Sequence, residues 1–146
     1  RQRDQDLADR IEAEGIGWFC EHWAQQPIIQ SQQRIVAPVR DAMQARRRAN
    51  RAAGIAGSLR GMGQGAVAPV WQELGRIACP TLWLTGGEDA TYEDFAQRGV
   101  AALAKGQHVS LPGVGHCAHL EAPSATVAAV QAFLAALAPE EGASRP

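Results

Sequence analysis

Cysteine is scarce in this chain, with only Cys20, Cys79 and Cys117. Their odd number and wide spacing exclude a disulfide framework and point to a reducing cytosol. A marked excess of positive or negative charge is missing as well. A net charge of -1 argues against nucleic acid as the main partner, because phosphate binding needs a clear basic excess. No apolar run approaches membrane-spanning length, so insertion as a transmembrane helix is not expected, and the opening residues show no secretory signal pattern. There is also no initiator methionine. The chain starts Arg1-Gln2-Arg3-Asp4, and we expect a piece of a longer product.

What is present suits a globular domain. The 146 residues are 46% hydrophobic and 20% charged, long enough and apolar enough for a core. Two patterns share the chain. Up to about residue 76 it reads as helix after helix, divided at Gly15-Ile16-Gly17, Gln26-Pro27, Ala37-Pro38 and Gly61-Met62-Gly63-Gln64-Gly65. Ile16, Phe19, Cys20 and Trp23 recur at helical spacing as an apolar stripe, and Val39 with Met43 and Ile55 with Leu59 make further pairs.

At Ala78-Cys79-Pro80 the pattern changes to strand, helix, strand, helix, without a flexible spacer. Thr81-Leu82-Trp83-Leu84-Thr85 and Val109-Ser110-Leu111 read as buried strands. A helix carrying Phe95, Val100 and Leu103 lies between them, ending near Lys105-Gly106. After Pro123, a last helix carries Val127, Val130, Leu134 and Leu137 as a sustained inward face, and Pro139 stops it. We therefore expect an α/β protein: a helical lid over residues 1–76, the last strand-helix units of a parallel sheet over 77–138, and an unordered tail over 139–146. Two strands cannot complete a parallel sheet, which needs cover on both faces and edges, so this pattern also predicts missing sequence.

Each strand runs into a residue that can carry chemistry. Gly86-Gly87-Glu88 leads to Asp89, and Pro112-Gly113-Val114-Gly115 leads to His116. An acid after one strand and a histidine after another is how an α/β sheet orients a general base. Taken alone, Asp89 would be read as a cap for the following helix; taken with His116, it is favoured as the acid of the pair. His116 has the alternative of a loop histidine bonded to backbone, although the glycines at 113 and 115 favour its presentation from a tight loop. Glu88 is expected to face solvent. His116, Cys117 and His119 lack the further ligands that a zinc site requires, so no metal is expected. His119 and Glu121 are expected to pack or hydrogen-bond around the start of the last helix.

The main basic concentration is Arg40, Arg46, Arg47, Arg48 and Arg51. A helix would put Arg40, Arg47 and Arg51 on one stripe, either as a solvated face or with one arginine gripping a substrate carboxylate. Trp23 is either core or an aromatic pocket wall. Ser31, Ser58, Ser110, Ser124 and Ser144 all lie outside any Gly-x-Ser-x-Gly turn, so the expected nucleophile is not among them.

The segments Gly54-Ile55-Ala56-Gly57-Ser58-Leu59-Arg60-Gly61-Met62-Gly63-Gln64-Gly65, Pro69-Val70-Trp71-Gln72-Glu73-Leu74, Gly86-Gly87-Glu88-Asp89 and Pro112 to Pro123 resemble one known family. So do Leu7-Ala8-Asp9-Arg10-Ile11 and the stretch from Gly15-Ile16 to Gln26-Pro27. The family is the 2-succinyl-6-hydroxy-2,4-cyclohexadiene-1-carboxylate synthases of menaquinone and phylloquinone biosynthesis. The resemblance covers nearly the whole chain but only about the C-terminal half of the family's length, and it implies an incomplete α/β-hydrolase fold.

It further implies a cytoplasmic, cofactor-independent lyase. Such an enzyme eliminates pyruvate from 2-succinyl-5-enolpyruvyl-6-hydroxy-3-cyclohexene-1-carboxylate through a Ser-Asp-His triad. Asp89 and His116 match the triad acid and base, and the serine would lie upstream of Arg1, leaving the isolated chain inactive. Arg47 matches a lid arginine and Trp23 a lid tryptophan that bind the polycarboxylate substrate. Thr91 departs from the pattern, which usually has a basic residue there, and the family's other substrate arginines have no counterpart assigned here. Two other expectations stand beside this one. One is a hydrolase of esters, thioesters or carbon–carbon bonds using the same triad; the other is a noncatalytic remnant.

Overall fold

The computed structural model describes residues 1–137. The expected stop at Pro139 and the expected tail over 139–146 lie outside the described residues. The chain divides into two compact units, Arg1–Gln72 and a second beginning at Glu73. The division falls inside a short 3-10 turn, Trp71–Arg76.

The first unit is helical. Helix α1 (Gln2–Ala24) is interrupted at Gly15, whose φ of 86° and ψ of 176° no helix contains. Only glycine reaches that region without strain, which is why the break falls there. A 3-10 helix (Pro27–Arg34), α2 (Ala37–Arg48) and α3 (Ala52–Met62) follow. Proline stands in the first turn of both the 3-10 helix and α2, where its missing N–H costs nothing.

Helix α1 packs mainly on α3. Ile11, Phe19 and Cys20 form the core of this unit, with Ile16, Trp23, Ile55 and Leu59 packed around it. The stripe read from the sequence is therefore the stripe that is buried. Ala8 and Ala56 are fully buried, small enough to let the two helices approach closely. At the rim, Arg60 of α3 donates to Asp9 at 2.6 Å and Glu12 at 2.7 Å on α1. Its guanidinium holds the Glu12 carboxyl below the ordinary 4.5, and the pair of carboxylates raises Arg60 in turn.

The expected stripe of Arg40, Arg47 and Arg51 is not formed. Helix α2 ends at Arg48, and Arg51 stands before α3 with an extended backbone. Just past the end, Asn50 donates its side-chain amide to the carbonyls of Arg46 and Arg47, at 3.0 and 3.1 Å, satisfying carbonyls of the last turn.

The second unit is a βαβ element with two further helices. Strands β1 (Thr81–Gly86) and β2 (Gly106–Leu111) pair in parallel, with Thr85 opposite Ser110 and Gly86 opposite Leu111. A parallel pair needs a crossover, supplied by α4 (Ala90–Ala102). Strand β2 starts three residues before the expected Val109, because Gly106 must pair with Thr81. Helix α4 ends correspondingly sooner, at Ala102. Gly99 of α4 lies against the Trp83 indole, so any Cβ there would overlap the ring.

The strands are less buried than predicted. Only Thr85 and Gly86 of β1 and Leu111 of β2 are buried. The last helix, α6 (Pro123–Ala135), departs further from expectation. Val127, Val130, Leu134 and Leu137 are 53%, 39%, 57% and 46% exposed, so their face does not point inward. Periodicity reports which side of a helix is apolar; it does not supply the layer that covers it. Among the described residues, that layer is absent.

Candidate active site

Two loops, one after each strand, build the site. Leaving β1, the chain turns at Gly86-Gly87. The Gly87 N–H donates to the Leu111 carbonyl at 2.8 Å and the Glu88 N–H to the Val114 carbonyl at 2.9 Å. These bonds continue the β1–β2 ladder past the sheet and fasten the loops side by side. The approach is close: a Cβ on Gly86 would run into the carbonyl oxygens of Val114 and Gly115. Gly113 turns the second loop with a φ of 70°, a left-handed conformation that glycine adopts without cost.

Asp89 and His116 meet at the ends of these loops. Asp89 is 8% exposed and stands at the N-cap of α4. Its Oδ1 accepts from the Tyr92 N–H at 3.3 Å, while Oδ2 lies 2.6 Å from His116 Nδ1. The capping role and the histidine-partner role, alternatives in the sequence, are filled by the two oxygens of one carboxylate. An ionised carboxylate can only accept, so the proton of this bond sits on Nδ1, and Nε2 is left as the ring's basic atom.

Tyr92, one turn into α4, packs edge-on against the His116 ring with centroids 4.8 Å apart. Sequence reasoning passed over Tyr92, although a residue three after a helix cap lies on the same face as the cap. Glu121, expected to pack or hydrogen-bond near the start of the last helix, does hydrogen-bond there, and its partners are on the histidine loop: its two oxygens accept from the N–H groups of Gly115 (2.9 Å) and Cys117 (3.1 Å). Helix α5 (Ala118–Glu121), a single turn not expected from the sequence, brings it there. Glu88 is exposed, as expected.

A polar cluster lies behind the site, joining both strands to α4. Thr85 of β1 donates to Glu93 of α4, and its hydroxyl lies 2.6 Å from His108 Nε2 of β2. Glu93 is held below the ordinary carboxyl value of 4.5 by the Thr85 hydroxyl first, then by Ser110 and His108. Burial opposes this shift and is outweighed. The cluster anchors α4 one turn beyond Asp89.

Arg47 and Trp23 belong to the first unit. Arg47 is half-buried and donates to Gln44 Oε1 at 3.2 Å. Trp23 stacks near Phe19 with ring centroids 5.7 Å apart and packs on the Ile11 cluster, so its ring is at least partly core. A cavity of about 70 Å³ in this unit is lined by Ala24, Ile29, Gln32, Gln33, Arg40 and Gln44. Arg40, rather than Arg47, reaches it. Among the described residues no group of three or more His, Cys, Asp or Glu side chains could hold a metal ion, and no helix is long and apolar enough to cross a membrane.

The chain is similar in sequence to known proteins. A Bacillus subtilis (strain 168) protein named "Putative 2-succinyl-6-hydroxy-2,4-cyclohexadiene-1-carboxylate synthase" is 31% identical over 135 residues, covering 92% of this chain and 49% of that protein. The 2-succinyl-6-hydroxy-2,4-cyclohexadiene-1-carboxylate synthase of Klebsiella pneumoniae (strain 342) is 29% identical, covering 92% of this chain and 50% of its own length. The chain thus spans about half the length of these relatives.

In fold it is similar to MenH from S. aureus, with a TM-score of 0.90 at 24% identity over 93% of this chain and 51% of that one. A thermophilic esterase from Thermogutta terrifontis gives 0.78 at 23% identity over 93% and 50%. The family model described as "Alpha/beta hydrolase family" matches residues 4–130. With a match of that extent, the chain belongs to the alpha/beta hydrolase family.

Proposed function

We propose that this chain is part of a cytoplasmic, cofactor-independent lyase that eliminates pyruvate from 2-succinyl-5-enolpyruvyl-6-hydroxy-3-cyclohexene-1-carboxylate. The reading is carried by the 2.6 Å contact between His116 Nδ1 and Asp89 Oδ2, taken with the names of the two relatives. In this reading Asp89 fixes the imidazole tautomer and offsets the charge that the ring acquires. His116 Nε2 draws the proton from a serine that is not among the residues of this chain, and that oxygen removes a proton from the substrate ring. The electron pair of the broken C–H bond forms a new ring double bond, the double bond already in the ring shifts along by one position, and the C–O bond to the enolpyruvyl group breaks; the departing enolate takes the proton held on His116 Nε2 and tautomerises to pyruvate.

Residues 1–76 act as the lid. Arg47 grips a substrate carboxylate with its planar guanidinium, and Trp23 forms an apolar wall. The free cysteines suit a reducing compartment.

The test is pyruvate release by the whole encoded protein supplied with this substrate. Release that disappears on His116→Ala is the expected result. Ester or thioester hydrolysis without pyruvate would replace this reading with that of a hydrolase. The 146-residue chain alone is expected to give no turnover, because the nucleophile is not in it.

A further inference from the structure

We propose that Glu121 is the positioning residue for His116, its carboxylate clamping the backbone N–H groups on either side of that histidine. The proposal rests on the reading of His116 as the base. Oε2 accepts from the Gly115 N–H at 2.9 Å and Oε1 from the Cys117 N–H at 3.1 Å. A carboxylate capping α5 would need only the second bond, since Cys117 is the N-cap of that helix. The first bond lies outside the helix, across His116, and closes a ring of contacts around its backbone.

The loop has reason to need such a clamp. Two glycines, Gly113 and Gly115, precede His116, and glycine leaves a chain with the most conformational freedom to lose. On the other flank the Glu88 N–H holds the Val114 carbonyl at 2.9 Å. The Glu88 backbone N–H and the Glu121 carboxylate therefore hold the loop through its carbonyl and its N–H groups respectively. Helix α5 is in turn tied to α6 by the Thr126 hydroxyl, which donates to the Ala118 carbonyl at 3.1 Å. Glu121 connects the histidine loop to that scaffold. Charge-assisted bonds of this kind are stronger than neutral ones and fix geometry.

NMR of the ¹⁵N-labelled whole encoded protein tests this independently of turnover. The expected spectrum has a far-downfield His116 Nδ1 proton from the bond to Asp89, and downfield Gly115 and Cys117 amide protons. In Glu121→Ala both amides move upfield and the imidazole proton is lost to solvent exchange, while the Trp83 indole signal stays in place. Glu121→Gln, with one accepting oxygen, keeps one amide downfield and broadens the imidazole proton. An unshifted imidazole proton in Glu121→Ala overturns the proposal.

If Glu121→Ala fails to fold, Glu121→Gln decides. Both amides held downfield, or loss of the whole fold in that variant too, overturns the clamp. The amide shifts report on Glu121 and the pyruvate assay reports on the reaction, so either can fail alone.

Discussion

Asp89 Oδ2 and His116 Nδ1 lie 2.6 Å apart although 27 residues separate them in the chain. The contact follows from strand register: Gly86 pairs with Leu111, so the loops leaving the two strands start side by side. Because Asp89 also caps α4 through its other oxygen, orientation of the histidine and the start of the helix are coupled in one side chain.

That coupling separates two substitutions. Asp89→Asn keeps a good cap but presents no anion to the imidazole, so pyruvate release by the whole protein should fall by about 10⁴-fold with little loss of stability. Asp89→Ala loses the cap as well, and urea unfolding should show a further cost of about 0.5–2 kcal/mol. Equal stability of the two variants would contradict the shared role.

Stability should fall as the medium is acidified, in a way traceable to Glu93. Its carboxyl is lowered in the folded chain, so the unfolded chain takes up protons first. The contribution is fully present above the ordinary value of 4.5 and is lost as pH falls through the lowered folded value. Urea midpoints measured from pH 7 to pH 3 should show this decline, and Glu93→Gln should flatten it. The same substitution should cost about 1.5–3 kcal/mol at pH 7, the range for a hydrogen bond to a charged group.

Two packing changes probe the units separately. Ile11 is fully buried in the first unit, and Ile11→Ala should destabilise it by about 2–5 kcal/mol in urea unfolding. In the second unit Gly99→Ala drives a methyl group into the Trp83 ring, with a cost of about 1–3 kcal/mol read by the indole fluorescence. Trp83→Ala in the Gly99→Ala background should be more tolerant of that methyl than the parent ring is.

Arg47→Lys tests the proposed carboxylate grip. A lysine keeps the charge and loses the planar fork, so KM for the proposed substrate should rise by roughly 10-fold or more with a smaller change in kcat. An unchanged KM would return Arg47 to the solvated face that is the common fate of arginine runs.

The local features of the sequence were reliable guides where the physics is local. Gly15 and Pro27 marked real interruptions, the Ile16–Trp23 stripe marked the buried side of α1, and Gly86 to Asp89 marked a strand end. Asn50 was missed because its effect depends on a side-chain bond to the preceding turn, which hydrophobic period does not register. Glu121 and Tyr92 were missed as site residues for a related reason. Each acts on a group whose position is set by a turn or a helix cap, and neither stands in a recognisable spacing with His116.

The order of the strands and of the longer helices, the residue at the end of each strand, and the apolar side of those helices follow from the amino acids alone, because backbone preference and side-chain polarity act over one or two turns. Which apolar side is covered, and which oxygen of Asp89 meets which partner, follow only from the assembled chain. Burial and hydrogen bonding at those points depend on strand pairing and on neighbours distant in sequence, as the exposed Val127–Leu134 side of α6 and the shared Asp89 carboxylate both show.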